Sequence, residues 1–381
     1  MFLATKEHKD HIDKNLWKRL RHQKKTTPTA RSKIMMTLRQ LAAEPPALPT
    51  RTAWYLAELG EARGKQDLFT HQSPQKLKLL REHALIESAV SSNRIEGVEV
   101  DKSRIGTLMF GKPALRDRDE EEVRGYRDAL KLIHESGAKL PVSDATVKRL
   151  HKLCRGEIWD AGAYKEKDVD IIQTFADGRS RVRFKTVPAM QTPKAMSEMI
   201  GLWQAGMREK WVPPLVLAAA LNLDFLCIHP FRDGNGRASR LLLLLACYHC
   251  GLEAGRYISL ERIIEDNKER YYEVLEQSSQ RWHEGKHDPW PAINFLLFIL
   301  TQVCKEFEQR VGQIKSPRGE KTAFVEEAMA RQTGLFSLSD LQSACPSVSV
   351  DLIRSVLKRL KGVSIECLGR GHTAKWRKIA K

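Results

Sequence analysis

The chain lacks any apolar run long enough to cross a bilayer. The longest, around Leu241 to Ala246, falls far short of the roughly 20 residues a spanning helix needs, so no membrane partner is expected. No secretory signal is expected either. Met1 to Arg39 is basic, is interrupted by Glu7, Asp10 and Asp13, and has no apolar centre. A disulfide framework is missing too. The seven cysteines (Cys154, Cys227, Cys247, Cys250, Cys304, Cys345 and Cys367) are odd in number and irregular in spacing, which predicts reduced thiols and a cytoplasmic protein. Cys247 and Cys250 have the separation of half a zinc site, but no second ligand pair stands at a suitable spacing. They read as two packed thiols in a buried helix.

What is there is length and positive charge. The 381 residues allow two or three domains. Lys and Arg number 64 against 47 Asp and Glu, a net charge of +17. That favours an anionic partner such as a nucleotide, a nucleic acid or an acidic protein, although charge also serves solubility.

Patterning predicts a mainly α fold in four stretches. Residues 1–45 read as a basic, weakly ordered arm ending at Pro45, Pro46 and Pro49. Residues 46–312 read as a helical core. Within it, Leu77, Leu79, Leu80, Leu85, Ile86 and Val90 mark an amphipathic helix that stops at Gly97. Glu96 at that end opposes the helix dipole and calls for a cation, Arg94 being the local candidate. The stretch from Asp160 to Pro188 alternates β-branched residues around Asp177-Gly178, which predicts a small β-hairpin flap. Ser259 opens a helix that runs on through NKERYYEVLEQSS. Residues 313–321 form a linker. Residues 322–381 then read helix, turn, helix and hairpin, a winged helix-turn-helix with a basic end that includes Lys358, Arg359, Arg370 and Lys375. DNA and protein stay open as its partner.

The richest stretch is His229 to Arg240, HPFRDGNGRASR, set between two apolar helical runs. Gly234, Asn235 and Gly236 stand directly before a helix, where backbone N–H groups and the helix dipole favour an anion. Arg237 and Arg240 lie three apart and can face the same phosphate oxygens. Asp233 offers a hard oxygen for Mg²⁺. His229 can titrate near neutral pH as a general base, and Phe231 pins the loop to the core. The stretch is no P-loop, lacking the Lys-Ser/Thr ending, and no EF-hand, because Arg237 and Ala238 fill positions that an EF-hand assigns otherwise. Phosphoryl or nucleotidyl transfer suits this set.

HPFRDGNGRASR also resembles the signature of the Fic family, His-x-Phe-x-Asp/Glu-Gly-Asn-Gly-Arg-x-x-Arg, with every defining position matched. The similarity extends over roughly residues 75 to 300. Asn222, Gly125 and Lys165 depart from the common pattern at positions expected not to touch the chemistry.

The resemblance implies a Fic-type helical core and protein AMPylation. His229 would take a proton from a Ser, Thr or Tyr hydroxyl that attacks the α-phosphate of ATP. Asp233 would hold Mg²⁺. Gly234, Asn235, Gly236, Arg237 and Arg240, with Phe231 beside them, would bind the nucleotide. The flap near Arg179 to Lys185 would align the target by strand addition. Ser92-Asn93-Arg94-Ile95-Glu96-Gly97 resembles the family's inhibitory pattern Ser/Thr-x-x-x-Glu-Gly/Asn, so Ser92, Glu96 and Gly97 would restrain the enzyme, Glu96 by pairing with Arg240. The partners this implies are ATP and a protein hydroxyl; the winged-helix pattern adds DNA as a candidate partner, and a homodimer stays open. The alternatives are a DNA-binding regulator with a sensory core, or a Fic enzyme that moves another phosphate-containing group or removes AMP.

Overall fold

The computed structural model describes residues 36–379, apart from 71–73, 112–113, 175–177, 314–319 and positions 333, 347, 370 and 372–373. The basic clusters of the first 35 residues, most of the linker, Asp177 and Arg370 therefore lie outside the described residues. The fold is mainly helical, with small antiparallel β-hairpins. No helix among the described residues is long and apolar enough to cross a membrane.

Helix α1 (Thr37–Ala43) is followed by α2 (Thr50–Thr70) and α3 (Pro74–Ile95). Next come α4 (Lys102–Phe110) and α5 (Arg118–Ser136). They begin on Asp101 and Asp117, whose side chains accept from the N–H groups of Ser103 and Glu120. Helix α6 (Asp144–Arg155) begins on Ser143 in the same way. Strands β1 (Ile171–Thr174) and β2 (Ser180–Phe184) form the hairpin, with Ile172 opposite Val182. Helices α7 (Thr192–Glu209), α8 (Pro214–Ile228), α9 (Asn235–His249), α10 (Leu260–Asp266), α11 (Lys268–Ser279) and α12 (Trp290–Gln313) complete the core.

Helix α8 and the second half of α9 are apolar on nearly every side, which suits only the middle of a protein. Every residue from Leu215 to Ile228 except Leu226 is buried, as are Leu241 to Tyr248. Helices α1, α7 and α12 pack on α8, while α5 and α6 pack on α9. Helix α3 lies between α5 and α10 and brings its C-terminal end to the start of α9. Cys247 and Cys250 are free, buried thiols.

Two expectations change. Thr37–Ala43, expected within the weakly ordered arm, forms α1, with Thr37, Leu38 and Leu41 buried. The buried carboxylate of Asp224, on α8, accepts from the N–H groups of Thr37 and Leu38 at 2.8 Å each and from Trp282 Nε1 at 2.8 Å. It thereby satisfies donors that a helix start leaves open. The helix expected from Ser259 through NKERYYEVLEQSS is broken at Asn267, whose side-chain amide donates to the Ile263 carbonyl at 2.9 Å and closes α10.

The C-terminal stretch has its own core, built on Phe324, Val325, Phe336, Leu341, Ile353 and Ile365. Helix α13 (Glu320–Ala330) precedes strand β3 (Phe336–Ser337), α14 (Leu338–Ala344), α15 (Val350–Leu360), β4 (Ile365–Leu368) and β5 (Lys375–Lys378). The sheet order is β3-β5-β4, antiparallel throughout. Ser337 caps α14 in a reciprocal box with Asp340. This part rests on the core: Ser343 Oγ donates to the Lys102 carbonyl at 2.8 Å, Arg331 Nη1 lies 3.1 Å from Glu87 Oε1, and Phe324 meets the His83 ring edge-on at 4.8 Å.

Candidate active site

The loop from His229 to Gly234 joins the two central helices. His229 takes the left-handed conformation, φ +52°, which turns the chain out of α8. Gly234 is left-handed at φ +77°, and a Cβ there would meet Arg155 Cδ at 2.9 Å. Backbone and space together require glycine. Between them the Asn235 side chain clips the loop shut. Its Oδ1 accepts from the Phe231 N–H at 2.9 Å and its Nδ2 donates to the Phe231 carbonyl at 2.8 Å. Asn235 thus shapes the cradle with its side chain and leaves only its backbone for an anion.

Phe231 is fully buried and stacks on His151, ring centroids 3.6 Å apart and planes 1° from parallel. His151 has a fixed proton. Its Nδ1 accepts from the Gly162 N–H at 2.9 Å, so Nε2 carries the hydrogen and donates to the Asp233 carbonyl at 2.9 Å. Burial pushes its pKa down to about 4, so the ring stays neutral and holds the loop from outside the motif.

His229 is similarly defined. Nδ1 faces the Leu226 carbonyl at 3.3 Å; a carbonyl only accepts, so the hydrogen sits on Nδ1 and Nε2 keeps its lone pair. Burial and, next, the Lys165 ammonium push its pKa down to about 4. Titration near neutral pH is therefore corrected: at pH 7 the imidazole is already in its proton-accepting form.

Arg237 and Arg240 do not share a target. Arg240, 1 % exposed, donates from Nε to Ser92 Oγ at 2.8 Å and from Nη2 to the Ser92 carbonyl at 2.9 Å and Glu96 Oε1 at 2.7 Å. Arg237 turns the other way. Its Nη1 donates to Glu122 Oε2 at 2.6 Å and to Asn93 Oδ1 at 3.1 Å. Burial opposes both charges but the adjacent carboxylates outweigh it, and both guanidinium pKa values are raised. Helix α3 ends as expected at Gly97, φ +83°, just past Glu96. The expected local cation, Arg94, instead pairs with Glu265 at 3.0 Å.

Asp233 is an exposed carboxylate. Oδ2 lies 3.0 Å from Arg155 Nη1 and Oδ1 accepts from the Gly234 N–H at 2.6 Å. Burial would raise its pKa, but Arg155, the Gly234 N–H, Arg237 and Arg118 outweigh that and hold it below the usual range. Among the described residues no group of three or more His, Cys, Asp or Glu side chains converges as a metal cage. A hard cation on Asp233 would need its other ligands from phosphate and water, which is how Mg²⁺ is commonly held.

A cavity of about 460 Å³ opens beside the loop, bounded by Glu96, His229, Gly236, Arg240, Tyr272 and the hairpin residue Phe184. Glu96 already fills the cradle end: a Cβ on Gly236 would stand 2.2 Å from Glu96 Oε1. Arg237 does not line this cavity.

Four residues of the site escape a reading of the motif. Glu122 ties Arg237 to Arg155, its Oε1 accepting from Arg155 at 2.7 Å. His151 and Arg155 hold the loop from α6. Lys165, expected to lie clear of the chemistry, donates from Nζ to the Ile228 carbonyl at 3.3 Å, directly before His229. The run Glu120-Glu121-Glu122 held one available signal. Three successive helix positions sweep about 200°, so one of them must approach the face carrying Val123, Tyr126 and Leu130.

Residues 141–247 match the model of the Fic/DOC family, so that span forms a Fic/DOC family domain. The match covers α6 to α9; the helix that carries Ser92 and Glu96 lies before it. Two curated relatives are each named Protein adenylyltransferase Fic. That of Drosophila persimilis is 24% identical over 206 residues, covering 51% of this chain and 38% of the relative. That of Nematostella vectensis is 22% identical over 210 residues, covering 53% and 45%. The chain thus spans less than half the length of these relatives. Among solved structures, a Fic family protein from Desulfovibrio desulfuricans is similar at TM-score 0.58 and 23% identity, covering 88% of this chain and 98% of that one. A Fic domain containing signaling protein from Bacteroides thetaiotaomicron is similar at TM-score 0.56 and 21% identity, covering 67% and 97%. Both likenesses extend to the fold.

Proposed function

We propose that the chain is a protein adenylyltransferase that transfers AMP from ATP to a hydroxyl side chain and is held inactive by its own Glu96. The observation that carries this reading is the Glu96 contact with buried Arg240 at 2.7 Å, inside a cavity that also holds His229 and Gly236. The names of the curated relatives support the reaction class.

In the proposed reaction, His229 Nε2 takes the hydroxyl proton of a target Ser, Thr or Tyr. The oxygen bonds to the α-phosphorus as the bond to pyrophosphate breaks. The N–H groups at Gly234 to Gly236 and the start of α9 receive the phosphates. Asp233 would hold Mg²⁺, which supplies positive charge to the phosphate oxygens when bound. Arg240 would meet the terminal phosphate once Glu96 leaves it. Arg237 supports the cradle from behind through Glu122, because its buried guanidinium faces away from the cavity. The hairpin lines the cavity through Ile172, Arg183 and Phe184, which suits a target strand laid along it.

Incubation with labelled ATP tests the reading. Glu96→Gly should incorporate label well above the unaltered chain, and His229→Ala in that background should remove it. Mass spectrometry then identifies the group. An increment other than AMP, or loss of AMP from a modified protein, replaces the donor assignment and keeps the site. Equal incorporation by Glu96→Gly and the unaltered chain removes the inhibitory role.

A second reading concerns the C-terminal part as a winged helix that contacts DNA. Helix α15 leaves Arg354, Lys358 and Arg359 exposed, and a cavity of about 430 Å³ beside it is lined by Lys358, Lys361 and Trp376. Two of those charges are already matched, Arg354 by Asp351 at 3.3 Å and Arg359 by Glu326. A salt-dependent shift of duplex DNA that is lost in Lys358→Ala would support it; no shift at low salt would remove it.

A further inference from the structure

Lys165 is a buried cation in an unusual place. It is 5 % exposed. Among the described residues no carboxylate lies within ion-pair distance of it; its ammonium donates instead to Thr186 Oγ1 at 2.6 Å and to the Ile228 carbonyl at 3.3 Å. Its own N–H donates to the Pro230 carbonyl at 2.9 Å, so the residue grips the chain on both sides of His229. Thr186 passes the connection on, its hydroxyl donating to the Val169 carbonyl. Val169 stands two residues before β1 and Thr186 two residues after β2, so both stalks of the hairpin meet at this ammonium.

We propose that Lys165 is a positioning residue of this site, joining the backbone that carries His229 to the stalks of the hairpin and presenting its ammonium charge to the imidazole. The inference rests on His229 being the base. Two consequences separate. The hydrogen bonds set where His229 sits relative to a target held on the hairpin. The charge disfavours imidazolium and keeps the base competent at lower pH. Burial in turn lowers the pKa of Lys165 itself to about 8, opposed by Asp168 and Asp170.

The surroundings of His229 make the charge effect readable. Asp233 faces it from the loop, Glu96 from the end of α3, Arg240 from α9 and Arg183 from β2. On α11 and α8, burial raises Tyr271, takes Tyr272 up to about 12 and lifts the Cys227 thiol well above its usual value. With Glu96 replaced by Gly, Lys165 is the nearby group whose charge changes between pH 4.5 and 9, and His229, at about 4, enters that window only when its pKa rises.

The test uses the full chain carrying Glu96→Gly and follows label from ATP across that pH range. Lys165→Met should lower the rate at pH 7 at least about tenfold and move the acid limb of the profile upward by about one pH unit. Lys165→Arg should keep the acid limb in place. Thr186→Val, which removes a partner but no charge, should lower kcat and leave the limb unmoved. A Met variant whose whole profile is scaled with its limb fixed overturns the charge role. A Thr186→Val variant that behaves as its parent overturns the joint. NMR titration of the His229 ring in the otherwise unaltered chain gives a readout without activity. Lys165→Met should raise its pKa, and no rise overturns the charge role. If the Glu96→Gly parent incorporates no label while that titration shifts, the adenylyltransferase reading fails and the positioning contact stands.

Discussion

Glu122 accepts from Arg237 at 2.6 Å with one carboxylate oxygen and from Arg155 at 2.7 Å with the other, and its side chain is only 3 % exposed. One buried anion thus holds two buried cations, one on the helix after the loop and one on the helix that braces the loop. Removing it leaves buried Arg237 with only the neutral Asn93 acceptor and Arg155 with only Asp233. Glu122→Ala should destabilise the fold by about 3–5 kcal/mol, the usual loss when one partner of a buried pair is deleted. Chemical denaturation of the variant measures it, and a loss under about 1 kcal/mol contradicts the assignment.

The contacts on Arg240 predict a graded release. Ser92→Ala deletes one hydrogen bond, worth about 1 kcal/mol, and should raise label incorporation about fivefold. Glu96→Gly deletes a charge-assisted bond of about 1.5–3 kcal/mol and should raise it about 10- to 100-fold. The order of the two variants is the check. If Ser92→Ala releases more than Glu96→Gly, Glu96 is not the principal restraint.

Acid should weaken the fold before its carboxylates titrate. Burial lowers His83, His151, His229 and His287 to about 4 and His134 to about 3, all from 6.5. An unfolded chain protonates these rings near pH 6.5 while the folded one resists, so stability is full above that pH and declines as pH falls toward 4. Asp224 works the other way. Burial raises it to about 6 from 3.8, so its share of stability is regained as pH falls through 6. Glu120, held down to about 2 by Arg104, adds a further loss only below its ordinary 4.5. Five histidines outweigh one aspartate, and Tm should fall between pH 6.5 and 4.5. A Tm that stays constant or rises over that interval contradicts the burial of these rings.

Helix α1 hangs largely on Asp224. Replacing Asp224 with Ala leaves the N–H groups of Thr37 and Leu38 and the Trp282 indole without their acceptor. Each stranded buried donor costs about 1–3 kcal/mol. Limited proteolysis between Glu44 and Pro49 should then become faster, and an unchanged cleavage rate would mean that α1 is held by other contacts.

The motif and its neighbours were legible to different degrees for physical reasons. Twelve contiguous residues announced His229, Asp233 and the glycine turn, because the chemistry and the spacing lie in one segment. Gly97 was legible as a helix stop because a left-handed cap favours glycine. The direction of Arg237 was not. Positions three apart share a helix face, but which buried carboxylate captures a long side chain depends on what packs there, and Glu122 lies 115 residues away. Helix α1 was hidden by its length: seven residues are too few to stand as a helix alone, and these form one because a distant aspartate caps them. Lys165 looked peripheral because its partners are backbone carbonyls and one hydroxyl, which leave no pattern in a sequence.

The contact between Arg331 and Glu87 bears on modularity. Helix α3 carries Ser92 near its end and Glu87 midway, and Glu87 meets Arg331 of the C-terminal part while Arg262 lies 3.4 Å away. The two parts are therefore not interchangeable pieces. A chimera that grafts on a different C-terminal part, or a chain cut at residue 313, also strips a counter-charge from the helix that leads to Glu96. Any change in activity after such surgery reports on that helix as much as on the part removed. Arg331→Gln in the intact chain is the control that tells the two apart.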